Sequence, residues 1–137
     1  MSFSSKVLLD TDTLSFYIKH YPKVVADAQN YLRQYNFFTF SIITRFEILR
    51  GLKANGATTG IKSFDFLCSQ NEVIELDDKI IVRAADVYAD LYKRGLLILD
   101  ADILIAATAL VNNLPVVTNN ESHFKRITGL QILNWNK

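Results

Sequence analysis

Three acidic residues stand where their type and spacing suit chemistry: Asp10, closing the run KVLLD; Glu47, inside SIITRFEILRG; and Asp102, opening DILIAATAL. In a doubly wound α/β sheet, ligands bind outside the carboxyl ends of the strands, so acids at those ends converge however far apart they lie in the chain. Carboxylates gathered in that way point to a metal site.

Each acid also has a structural reading. Asp10 and Asp12 flank Thr11 in DTDTL, after a strand and before a helix, where Asp and Thr oxygens satisfy free backbone N–H groups. One cap does not account for two acids, and Asp10, still in line with the strand, points toward the crevice. Thr44 and Glu47 have capping-box spacing, but Ile42 and Ile43 already belong to an apolar face, so initiation near Ser41 fits better. Glu47 then lies inside the helix, on the face of Ile43 and Gly51, where a half-buried acid needs a metal, a water or an Arg. Asp100 is assigned to the cap of the DILIAATAL helix. Asp102 follows as a carboxylate on an otherwise apolar helix, where a cation would compensate it. After the last long strand come Asn119, Asn120, Glu121 and His123. The Asn pair suits a turn, either amide could orient a water or phosphate, and His123 beside Phe124 reads most simply as a surface or packing histidine.

The elements that must position these groups alternate from end to end. KVLLD, FFTFS, VIEL, PVVT and QILN read as strands. TLSFYIKH, KVVADAQNYLRQY, IITRFEILRGLK and IKSFDFLCSQ read as helices, with Gly51 and Gly56 bracketing a loop. The longest helix, about 78–94, puts Ile80, Ala84, Val87, Tyr88 and Leu91 on one stripe and stops at Gly95. DILIAATALV, apolar all round, is a buried helix ended by Asn112, Asn113 and Pro115. Strands separated by helices imply a mainly parallel central sheet in a three-layer α/β/α domain spanning residues 1–137. Trp135 is expected to dock on its body.

With 137 residues, half of them hydrophobic and 21% charged, the composition is that of a globular domain. A lone Cys68 excludes an internal disulfide and is expected buried and reduced, which favours a cytoplasmic location. No apolar run reaches the roughly 18 residues of a membrane span. A net charge of +1 excludes a bulk coater of nucleic acid but not an enzyme with a local phosphate-binding patch, because acidic catalytic groups cancel basic ones in the total.

Taken together, LLDTDTLS, SIITRFEILRGL, DADILIAATAL and LPVVTNNESHFKRITGLQILNW resemble, in order and over essentially the whole chain, the PIN-domain ribonucleases, specifically the VapC-type toxins of type II toxin–antitoxin modules. The resemblance implies a PIN-like fold and a Mg²⁺-dependent endoribonuclease, with Mn²⁺ as a substitute. It implies likewise a toxin held by a small cognate antitoxin, usually dimeric, that hydrolyses RNA phosphodiester bonds with a metal-activated water. The family's first metal-binding Asp maps onto Asp10, its helix Glu onto Glu47 and its third acid onto Asp102. Asp10 and Asp102 are then the direct ligands, with Glu47 acting through water. Many members carry a fourth acid where this chain has Asn120, which keeps an oxygen but loses the charge, so one ion is expected rather than two. Asp12, Asp100 and Glu121 are secondary candidates.

Two other readings compete. DTDTL is similar to the first motif of haloacid-dehalogenase-type phosphatases, but Leu14 stands where that motif usually has Thr or Val, and no Ser/Thr and Lys pair follows. A PIN-like module kept only for binding RNA or protein is the other; Asn120 supports it, and the three retained acids oppose it. For a partner helix, NYLRQYNFF and FYIKHY could offer a groove, although core packing accounts for most of their aromatics.

Overall fold

The computed structural model describes residues 2–137. Five short strands, β1 (Leu8–Leu9), β2 (Thr39–Ser41), β3 (Glu72–Ile74), β4 (Val116–Val117) and β5 (Ile132–Leu133), pair in parallel in the order β3-β2-β1-β4-β5. Between them run α1 (Thr11–Ile18), α2 (Pro22–Tyr35), α3 (Ile42–Ala54), α4 (Thr58–Ser69), α5 (Asp78–Lys93), α6 (Asp100–Val111) and α7 (Glu121–Phe124). Every strand read from the sequence is present, shorter than its apolar run.

The pleat sends successive side chains to opposite faces, which is why both faces need a helical layer. Val7, Leu9, Phe40 and Val117 point into a core shared with Leu14 of α1, Val24, Ala28 and Tyr31 of α2, and Phe64 of α4. Leu8 and Val116 point the other way, onto Ile80, Ala84, Val87 and Leu91 of α5 and the apolar α6. The result is the three-layer α/β/α arrangement. β1 is central and fully buried, and Leu9→Ala there would cost about 2–5 kcal/mol through lost burial and a residual cavity. Trp135 does dock, at 4% exposure, with its ring 5.6 Å from that of Tyr31.

Several local expectations need correction. Gly51 does not border a loop; it lies within α3, which runs on to Ala54, and only Gly56, at φ +63°, makes the turn. Tyr88 leaves the buried stripe and is exposed, because it sits on the flank of α5 beside Tyr92 rather than over the sheet. Cys68 is half-buried rather than buried. The aromatics of NYLRQYNFF are mostly core: Tyr31 and Phe38 are buried in it and Tyr35 packs against it.

Candidate active site

Asp10 continues β1 by one residue: its N–H donates to the Val117 carbonyl at 2.9 Å. Its extended backbone (φ −71°, ψ 162°) makes it the N-cap of α1. Oδ1 accepts from the Thr11 N–H at 2.8 Å and Oδ2 from the Thr118 hydroxyl at 2.7 Å, leaving the residue 4% exposed. Asp12, one residue into α1, accepts from the Asn119 N–H at 3.1 Å, and Thr13 donates to the Val117 carbonyl at 3.0 Å. The turn after β4 is thus stitched to the start of α1. The cap is Asp10, not Asp12, and it is a cap that water barely reaches.

Ser41, ending β2, starts α3 by accepting from the Ile43 N–H at 3.0 Å, which places Glu47 inside the helix, on its second turn. Glu47 Oε1 accepts from the Thr11 hydroxyl at 2.7 Å, and Thr11 in turn lies 2.9 Å from the Thr44 hydroxyl. Arg50, at 3.7 Å from Oε2, is a looser partner, with its own side chain 61% exposed. Asp102 is in the first turn of α6, half-buried, with Oδ2 3.4 Å from His123 Nδ1. That nitrogen also lies 2.8 Å from the Asn120 amide nitrogen.

The electrostatics follow from this crowding. Burial, then the charge of Asp12, and more weakly that of Asp102, push the Asp10 carboxyl up to about 8, against the opposing hydrogen bonds from Thr118 and Thr11. Burial also raises Asp102; the charges of Glu47 and Asp12 add to this, while His123 opposes it. Asp10, Asp12, Glu47 and Asp102 therefore share one field.

Two secondary candidates stand outside it. Asp100 is the exposed first residue of α6, not its cap; Leu99 holds the cap position and contributes no side-chain bond. Glu121 turns away, taking Asn134 at 2.8 Å and Lys137 at 3.4 Å. Asn120 reaches the crevice through His123 instead of facing an acid directly. From the sequence His123 takes no more than a surface or packing role, whereas its ring reaches Asp102, and no role at the site is assigned to Thr11 or Thr118. The Thr residues flanking strand ends in LLDT and VVTNN were the available signal.

The donor set fits a hard divalent cation. The crevice offers carboxylate oxygens that raise one another's proton affinity, a field that an ion would relieve. Among the described residues, no three His, Cys, Asp or Glu side chains form a ready-made ligand cage.

A sheet of this order with acids collected past its strand ends defines a class, and the chain belongs to the PIN-domain family, whose model matches residues 7–130. Within it the relatives are VapC proteins. The chain is 35% identical to Ribonuclease VapC1 of Methanocaldococcus jannaschii, over 93% of this chain and 87% of that one. It is 30% identical to the tRNA(fMet)-specific endonuclease VapC of Salmonella typhimurium, over 95% and 98%. Among solved structures, a chain of VapBC2 from Rickettsia felis bound to a DNA fragment from its promoter superposes with a TM-score of 0.86 at 28% identity, covering 96% of this chain and 99% of that one. A chain of DNA-bound VapBC from Salmonella typhimurium gives 0.85 at 30%, covering 95% and 98%. The phosphatase alternative falls with the family match.

Proposed function

We propose that this chain is a Mg²⁺-dependent endoribonuclease, Mn²⁺ substituting, that acts in the cytoplasm as the toxin of a toxin–antitoxin pair. The observation that carries the reading is the buried Asp10, forced into the field of Asp12 and Asp102 at the strand ends of a chain related to VapC ribonucleases. Asp10 and Asp102 would hold the ion. When bound, it supplies charge neutralisation at the scissile phosphate and lowers the proton affinity of the attacking water.

The chain's own residues do the rest. Thr118 and the Thr11 N–H fix the two oxygens of Asp10, so the carboxylate cannot swing out of the crevice. Thr11 holds Glu47 Oε1, leaving Oε2 to orient a water for in-line attack. No covalent protein nucleophile is needed. RNA incubated with and without Mg²⁺, and with Asp102→Asn, tests the reading: metal-dependent cleavage lost in the variant supports it, and binding without cleavage would favour a retained binding module.

The partner reading rests on the VapBC complexes among the structural relatives. A groove of ≈ 700 Å³ runs beside the acids, lined by Ile18, Ile48, Leu52 and Phe64, with Thr11 and Glu47 at its polar end. An apolar antitoxin segment carrying an Arg or Lys fits it, the cation reaching the carboxylates. FYIKHY contributes to this groove and NYLRQYNFF does not. Expression alone should arrest growth and co-expression of the adjacent small reading frame should relieve the arrest. The family resemblance extends to a homodimer, for which α5 offers an outer face with Ile81, Val82, Tyr88 and Tyr92 exposed.

A further inference from the structure

His123 is the residue of the crevice that packing explains least. Its side chain is 35% exposed, yet Nδ1 is turned inward onto two groups. The Asn120 amide nitrogen stands 2.8 Å from it and Asp102 Oδ2 3.4 Å. In the tautomer that carries the ring proton on Nε2, Nδ1 accepts from the Asn120 amide N–H. Its contact with Asp102 Oδ2, at 3.4 Å, is too long for a good hydrogen bond, and in that tautomer it sets one acceptor against another. Such a contact becomes favourable when a positive charge lies between the two atoms. Donor atoms roughly 2.0–2.2 Å from one small divalent ion, in adjoining positions, sit about 3 Å apart, so this pair needs little movement to share an ion.

We propose that His123 Nδ1 is a direct nitrogen donor to the ion, beside Asp102, with Asn120 as the positioning residue whose amide N–H occupies that lone pair in the metal-free protein, keeps the ring in the tautomer that presents Nδ1, and gives way to the ion. The inference rests on the metal reading above and specifies its donor set. It gives the departure at Asn120 a physical meaning: a neutral imidazole donor one helical turn further on, at His123, stands in for the anionic donor absent there. Replacing an oxygen by a nitrogen donor also changes selectivity, because imidazole suits borderline first-row ions better than it suits Mg²⁺. The site should therefore prefer Mn²⁺ or Co²⁺ to Mg²⁺ more strongly than an all-oxygen site does.

Pulsed EPR of the intact protein loaded with Mn²⁺ reads this without any measurement of cleavage. A ¹⁴N coupling from coordinated imidazole is expected in the wild type. It should change to that of ¹⁵N on incorporation of labelled histidine and persist in His20→Gln, the only other histidine being replaced. In His123→Gln the coupling should vanish and Mn²⁺ affinity fall at least about tenfold, the range seen when groups supporting a metal are lost. Should that variant fail to fold, the labelled wild-type and His20→Gln spectra decide the matter alone. Mn²⁺ bound in an Asp102-dependent way without nitrogen coupling overturns the His123 assignment and leaves the metal reading standing. If no Mn²⁺ binding depends on Asp102, both are overturned.

Discussion

Of the helices that begin with paired aspartates, α5 and α1 use them differently. At α5, Asp77 caps the helix by accepting from the Ile80 N–H at 2.9 Å, Asp78 follows in the first turn, and both face water. At α1, Asp10 also caps, and Asp12 follows in the first turn, but the first carboxylate is buried and its second oxygen is tied to Thr118. The local grammar is the same. The difference lies in what stands behind each helix start: α5 follows the edge strand β3, whereas α1 follows the central strand β1, with β4 and its turn alongside. A carboxylate at a helix start contributes a cap when solvent screens it and becomes a reactive group when the sheet denies it solvent.

The largest effect expected from this contrast is on cleavage. Asp102→Asn should lower RNA cleavage at least about a hundredfold, the scale of removing one electrostatic group at a reacting centre. Asp77→Asn should leave it unchanged, with both variants folded by circular dichroism. Equal losses would erase the distinction between the two helix starts.

Metal response should divide the same way. Mg²⁺ or Mn²⁺ at about 100 times its dissociation constant should stabilise the wild type by ~2.7 kcal/mol through mass action. In Asp10→Ala this gain should disappear, and the metal-free midpoint should fall, because the variant also loses the α1 cap and the Thr118 bond. An undiminished response in that variant would place the ion elsewhere.

The pH dependence sharpens the point. Asp10 holds its proton up to about 8 in the folded chain but releases it near 3.8 when unfolded, so folding takes up a proton between those values. Its contribution to stability is complete below about pH 4 and is lost as pH rises through 8. The metal-free midpoint should therefore fall over that window, and Asp10→Asn should flatten the slope, as thermal melts in a chelator would record. Asp102, also raised, contributes with the same sign.

Smaller effects complete the series. Asp77→Ala should cost about 1 kcal/mol, the usual loss of a cap, with cleavage intact. Asn120→Asp should weaken Mn²⁺ binding modestly, read by calorimetric titration, because a carboxylate cannot donate to His123 Nδ1 as the amide does; a gain would mean that residue 120 faces the ion itself.

Much of this was legible in the sequence, because five apolar runs bounded by turn residues and one all-apolar helix carry strong local signals. The three principal acids could be placed since strand ends and helix faces are set by periodicity. Legibility failed where the outcome depends on distant partners. Within ESHF, Glu121 turns toward Asn134 and Lys137 and His123 toward Asp102, and a helix of four residues has no periodicity to say so. Asp100 misled because Asp favours caps, yet the extended backbone before α6 falls on Leu99. Gly51 misled because Gly weakens a helix, whereas Ile48, Leu49 and Leu52 pack on the core and carry α3 through it.

The position of β1 has a consequence for how the protein comes into being. It precedes the other four strands of the sheet in the chain and lies at its centre, between β2 and β4. The hydrogen bond from Thr118 to Asp10 closes a separation of 108 residues, and the Asn119 bond to Asp12 one of 107. A nascent chain extending only through α5 has the first strands and the Glu47 helix but no Asp102, no β4 and nothing to bury Asp10. The crevice therefore assembles only once β4 has been made, and a ribosome that stalls before β4 carries a fragment without it.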